Sequence, residues 1–221
     1  MNKILFFSLF LVLVSACKKD SSEIDQNTIF QNYVMIYDEE ADQTTVNAYF
    51  YEDKFNGKNL ELSGGSSITM NGAAMNKSGA VYSKTVDGYL TTASMIFTDS
   101  EGKQYANTIN KANAIGNENQ VYLDKSFTNY WYWNGNTIAS GETVNMTLTN
   151  VADNAISESF KETTVGRDYV QLNASSLINL PVGNTKVTIS RTKEITTGNF
   201  TSVGGKITAT YKGLYNYVEI Y

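Results

Sequence analysis

Histidine is missing from all 221 residues, and cysteine and proline each occur once. Without imidazole there is no Ser-His-Asp or Cys-His arrangement, no ordinary general base near neutral pH and no imidazole metal ligand. A single cysteine, Cys17, excludes an intrachain disulfide, so the fold must be held by its core. No G-x-x-x-x-G-K loop for cradling phosphate occurs, and no cofactor is expected. Basic charge is also sparse, at 17 Lys and Arg against 22 Asp and Glu. That balance argues against a nucleic-acid partner, which needs clustered cations, and against purely electrostatic attraction to anionic lipid. Sustained 3.6-residue periodicity is absent beyond the first residues.

What is present begins at the N-terminus. Met1-Asn2-Lys3 is followed by an almost wholly apolar run from Ile4 to Ala16. The run is too short for a membrane-spanning helix, which needs about 20 apolar residues, but suits a secretory signal peptide. Its end, Val14-Ser15-Ala16-Cys17, resembles the lipobox of bacterial lipoproteins: an aliphatic residue, two small ones, then cysteine. The resemblance implies cleavage after Ala16 and acylation of Cys17, with several acyl chains making attachment effectively permanent. Lys18, not aspartate, follows Cys17, so the inner-membrane retention signal of enteric-type lipoproteins is missing. Lys18-Lys19-Asp20-Ser21-Ser22-Glu23 partly resembles the surface-export tag of Bacteroidota lipoproteins. The expected location is therefore the outer membrane, lipid-anchored, facing either the cell surface or the periplasm. Residues 18–28 are polar and, with Cys17, read as a flexible tether over 17–28.

From Ile29 onward, two-residue alternation dominates, rich in Val, Ile, Thr, Tyr and Phe with Asn and Gly between runs. Tyr33-Val34-Met35-Ile36-Tyr37 is a continuous apolar strand, and Val46, Ala48 and Phe50 alternate with polar or aromatic neighbours. Ile68 and Met70 lead into Asn71-Gly72, a two-residue hairpin signal. Trp131-Tyr132-Trp133 runs into Asn134-Gly135 in the same way. Phe97 and Phe160 each lie 26 positions after the asparagine, and each precedes a glycine-containing turn and then Tyr105 or Tyr169. Strands separated by regular turn signals predict an all-β fold. We expect two tandem immunoglobulin-like β-sandwiches, at 29–125 and 126–221, with one fused sandwich as the alternative. In texture the mature chain resembles small uncharacterised Bacteroidota lipoproteins built from such modules; the Gly-Gly-Lys-Ile-Thr-Ala-Thr-Tyr strand at 204–211 is part of that likeness.

Carboxylates are the remaining reactive groups. Glu158 with Glu162, or Glu52 with Asp53, form candidate glycosidase pairs if set about 5–9 Å apart, against the plainer reading of solvated strand ends. Asp38–Asp42 and Asp99–Gly102 offer oxygen ligands for calcium but match no EF-hand spacing. The most conspicuous patch is Asn129-Tyr130-Trp131-Tyr132-Trp133. On a strand, Trp131 and Trp133 face one way and Tyr130 and Tyr132 the other. One pair packs the core; the outward pair can stack against sugar rings or simply cover the sheet. Tyr49 with Tyr51 and Tyr215 with Tyr217 repeat the pattern. The expected function is a non-enzymatic, lipid-anchored envelope protein with a binding or structural role. Alternatives are a carbohydrate-binding lipoprotein of a glycan-uptake system and a fimbrial or stalk subunit joined by strand addition. Its expected partners are the membrane and a glycan or envelope protein.

Overall fold

The computed structural model describes residues 19–118 and 120–221; Cys17 and the expected signal peptide at 1–16 lie outside them. Among the described residues the fold is all-β apart from short helical turns. It opens with β1 (Lys19–Asp20) and two 3-10 turns (Ser21–Glu23 and Gln26–Thr28), then the hairpin of β2 (Ile29–Asp38) and β3 (Gln43–Glu52). β4 (Leu60–Glu61) pairs in parallel with β1. β5 (Ser67–Met70) and β6 (Ala73–Ala74) flank Asn71-Gly72, where both residues take positive φ, 50° and 76°, as the hairpin turn requires. β7 (Asn76–Ser78), β8 (Val81–Asp87), β9 (Thr92–Thr98) and β10 (Gln104–Asn110) follow. Next come β11 (Ile115–Asn117), β12 (Tyr122–Leu123), β13 (Asn129–Gly135), β14 (Glu142–Asn150), β15 (Ser157–Glu162) and β16 (Tyr169–Leu172). A single helical turn, α1 (Ala174–Leu177), leads to β17 (Gly183–Ile195), β18 (Gly205–Lys212) and β19 (Asn216–Ile220).

A ten-stranded sheet forms one layer, taking β2, β3, β7, β8 and β12 from before Lys125 and β14, β15, β17, β18 and β19 from after it. The join is the parallel pairing of β2 with β18, from Gln31 opposite Gly205 to Asp38 opposite Lys212. Residues directly opposite share a face, so Phe50, Tyr33, Ile207, Arg191 and Val144 all point to the same side. Two smaller sheets cover that side. β10-β9-β5-β6 packs over the first half, with Phe97 4.8 Å from Phe50 between ring centroids. β11-β13-β16 packs over the second, with the Trp133 ring 5.8 Å from the Arg191 guanidinium. The sheet is shared, its covers are separate, and the buried apolar side chains form one cluster.

The opposite face of the large sheet is polar. Cross-strand hydroxyl pairs join Thr45 to Thr85 at 3.1 Å, Thr192 to Thr210 at 3.1 Å and Thr147 to Ser159 at 3.0 Å. The first and last described strands are both paired within the chain, β1 with β4 and β19 with β17 and β12.

Two local expectations need correction. Residues 19–28 are folded rather than a loose tether. Ser21 and Gln26 are buried; Gln26 Nε2 donates to the Ser21 carbonyl at 2.7 Å and its Oε1 accepts from Ser100 N–H at 3.2 Å. Polar composition suggested mobility, but these side chains spend their polarity on local backbone groups. Asn134-Gly135 is not a turn. It lies within β13, opposite Gly116 and Ile115, and a Cβ on Gly135 would sit 2.7 Å from the Ala114 carbonyl oxygen. This glycine permits close approach of two strands.

Candidate functional site

β13 is the middle strand of its sheet, so its alternation sorts four aromatic rings between two environments. Trp131 and Trp133 are 0% and 3% exposed and fill the core. Tyr130 and Tyr132 are 46% and 44% exposed on the outer side. Of the four aromatics singled out from sequence, only the two tyrosines meet solvent.

β16 adds a third ring. Tyr169 stands opposite Tyr132, diagonal to Tyr130. Its centroid is 5.2 Å from Tyr130 at 86°, edge-to-face, and 5.4 Å from Tyr132 at 56°, tilted, contacts that favour a fixed cluster. The Arg167 guanidinium lies 5.0 Å over Tyr169 and donates to Glu162 at 2.6 Å. Glu162 also accepts from the Thr163 and Thr164 amides at 2.9 and 2.8 Å. Burial would raise this carboxyl, but the Thr164 amide, Arg167 and the Thr163 amide outweigh it and hold it down at about 2. Glu162 thus clamps Arg167, and Arg167 covers one face of Tyr169. From sequence Glu162 stood out only as half of a pair with Glu158; its grouping with Arg167 and Tyr169 was not legible. Tyr169 comes beside β13 through the β13–β16 pairing, and the other two reach it through the Arg167 contacts.

Along the other edge of β13, Glu118, Gln120 and Asn134 join Tyr130 and Tyr132 around an open cleft of about 530 Å³. That volume lies within the usual range for small-molecule sites. The cleft combines two exposed phenol rings with a carboxylate and two amides, groups that can accept from and donate to hydroxyls. Beneath it, Trp133 Nε1 donates to the Asn136 carbonyl at 3.0 Å. The same carbonyl accepts from Arg191.

Tyr215 sits under Lys186, 3.9 Å from ring centroid to Nζ. It borders a smaller cleft of about 300 Å³ with Asp38, Glu40 and Lys212, where β17 exchanges β18 for β19 as neighbour. Tyr49 and Tyr51 are half-buried on the outer face. Glu158 and Glu162 are four residues apart on one strand, about 13 Å along the backbone, and their carboxylates have different partners, Asn179 Nδ2 at 3.4 Å and Arg167 at 2.6 Å. Glu52 is held by Lys19 at 2.7 Å. Asp99 uses its carboxylate on the Glu101 and Lys103 amides at 3.0 and 2.9 Å, closing the β9–β10 turn.

No protein-family model matches this chain, and no curated protein is significantly similar to it.

Proposed function

We propose that this chain is the lipid-anchored ectodomain of a bacterial envelope protein that binds a ligand on its tyrosine face and performs no chemistry of its own. The observation that carries the binding reading is the Tyr130–Tyr132–Tyr169 cluster, with Tyr130 and Tyr132 solvent-exposed and Tyr169 braced by Arg167, bordered by polar side chains. Flat rings beside amides and a carboxylate suit the apolar faces and hydroxyl edges of sugar rings, which favours the carbohydrate-binding alternative. The internal pairing of both terminal strands weighs against a subunit that donates or accepts a strand. Lipid anchoring rests on Val14-Ser15-Ala16-Cys17, outside the described residues. The test is binding to an array of neutral and acidic glycans. Binding that is lost on Tyr130→Ala and Tyr132→Ala supports the proposal, and absence of binding to every glycan removes the carbohydrate reading.

A further inference from the structure

The described residues reach almost to the point where the lipid would be attached. Only Lys18 separates Cys17 from Lys19. Lys19 is already fixed: its N–H donates to the Asn59 carbonyl at 3.3 Å, and its ammonium meets Glu52 at 2.7 Å. Two residues of chain span at most about 7 Å. An acyl group on Cys17 therefore holds this end of the domain against the headgroup layer, with no slack to lift it away.

The two residues that Lys19 contacts, Glu52 and Asn59, flank the loop from Asp53 to Lys58. It is pinned by backbone hydrogen bonds: Asp53 N–H to Thr28 at 2.7 Å, Lys54 N–H to Glu52 at 2.8 Å, and Gly57 N–H to Lys54 at 2.9 Å. Asp53 and Asn56 hold positive φ, 66° and 57°. At Gly57 a Cβ would lie 2.1 Å from the Glu52 carbonyl oxygen, so the loop's shape depends on that glycine. This stiff loop displays Phe55, 42% exposed, between the exposed Lys54 and Lys58. Its ring leans on Phe30 and Tyr51, at 6.1 and 6.0 Å, and takes the Lys206 ammonium at 5.0 Å. A phenyl ring flanked by lysines suits the membrane–water interface, where the ring enters the boundary and the ammonium groups stay hydrated. Asp53, Glu23 and Asp25 are exposed nearby, so the end is of mixed charge and needs no anionic lipid.

We infer that the loop Asp53–Lys58 seats directly on the lipid headgroup layer, Phe55 first, and that the opposite end of the large sheet points away from the membrane. The inference rests on acylation of Cys17. β17 gives the direction. Ile195 lies beside Ile207 near the start of β2, whereas Asn184, eleven residues along, lies beside Glu219 and hence β12. That run is about 36 Å, which places Tyr122 far from the bilayer.

The test uses the full chain, produced with its lipid and carried in phosphatidylethanolamine–phosphatidylglycerol vesicles. Phe55→Cys and Tyr122→Cys each carry a bimane fluorophore, read against quenching by spin-labelled lipid. Acylation consumes the Cys17 thiol, so one fluorophore per chain reports an anchored protein and two report an unmodified Cys17. The inference expects quenching several-fold stronger at position 55 than at 122. It also expects that difference to vanish, with the protein still on the vesicle, when about 12 Gly and Ser residues are inserted between Lys18 and Lys19, enough to lift the domain by about 20 Å. Equal, weak quenching at both positions with one fluorophore per chain overturns the seating while leaving the anchor intact. Two fluorophores per chain overturn both.

Discussion

Arg191 and Glu142 face each other 3.6 Å apart inside the second half of the fold, both shielded from solvent. Burial pushes the Arg191 guanidinium below its ordinary value, and the Glu142 charge restores part of it. Glu142 is otherwise satisfied by the Asn113 amide at 2.9 Å and the Ala139 N–H at 3.0 Å. Removing one partner leaves the other charged and buried. Arg191→Ala is therefore expected to cost about 3–5 kcal/mol, measured by urea unfolding. The double change Arg191→Met with Glu142→Leu recovers part of this loss but not all, because Asn113 and Ala139 lose their acceptor.

The two sides of β13 respond differently to truncation. Trp131→Ala opens a cavity in the core and costs about 3–5 kcal/mol. Tyr130→Ala and Tyr132→Ala stay within about 1 kcal/mol of the parent while abolishing ligand binding. Thermal unfolding and glycan binding on the same samples separate the two effects. Tyrosine variants that unfold like Trp131→Ala would make the face structural.

Glu162 makes stability pH-dependent in a defined direction. Its carboxyl titrates at about 2 when folded, against 4.5 unperturbed. A depressed folded pKa contributes stability that is complete above 4.5 and is lost as pH falls towards about 2. At pH 7 the parent should be more stable than Glu162→Gln. Urea midpoints taken stepwise to acid should show the gap closing across that window, and a gap independent of pH would remove the Arg167 clamp from the account.

Gly135→Ala tests why that glycine is there. Its φ of 134° and the 2.7 Å approach to the Ala114 carbonyl both resist a Cβ. A strained non-glycine residue costs about 1–3 kcal/mol. Gly116→Ala is the control, since a Cβ there meets only Asn134 Cβ at 3.8 Å; its unfolding midpoint should barely move.

The strand content was legible because alternation records which face is buried. Val46, Ala48 and Phe50 read as one face of a strand, and they are one. The Asn71-Gly72 turn was legible because its chemistry is local. Asn134-Gly135 carries the same two letters, yet its partner is Ala114–Gly116, twenty residues earlier, and no local rule records that contact. The same limit hides the parallel pairing of β2 with β18, which joins residues more than 170 positions apart. The candidate site was half visible. Alternation set Tyr130 and Tyr132 apart from the tryptophans, while Tyr169 reaches the cluster through the β13–β16 register and Arg167 and Glu162 through their contacts with it. Composition misread residues 19–28, because a polar segment can be ordered by side-chain bonds to its own backbone, as Gln26 shows.

Attachment to lipid is the central claim, and mass spectrometry of the purified protein's N-terminus addresses it most directly. The account predicts a chain that starts at Cys17 and carries the added mass of a diacylglycerol thioether and an N-acyl group. A terminus that retains residues 1–16, or a Cys17 whose sulfur is a free thiol, would contradict it.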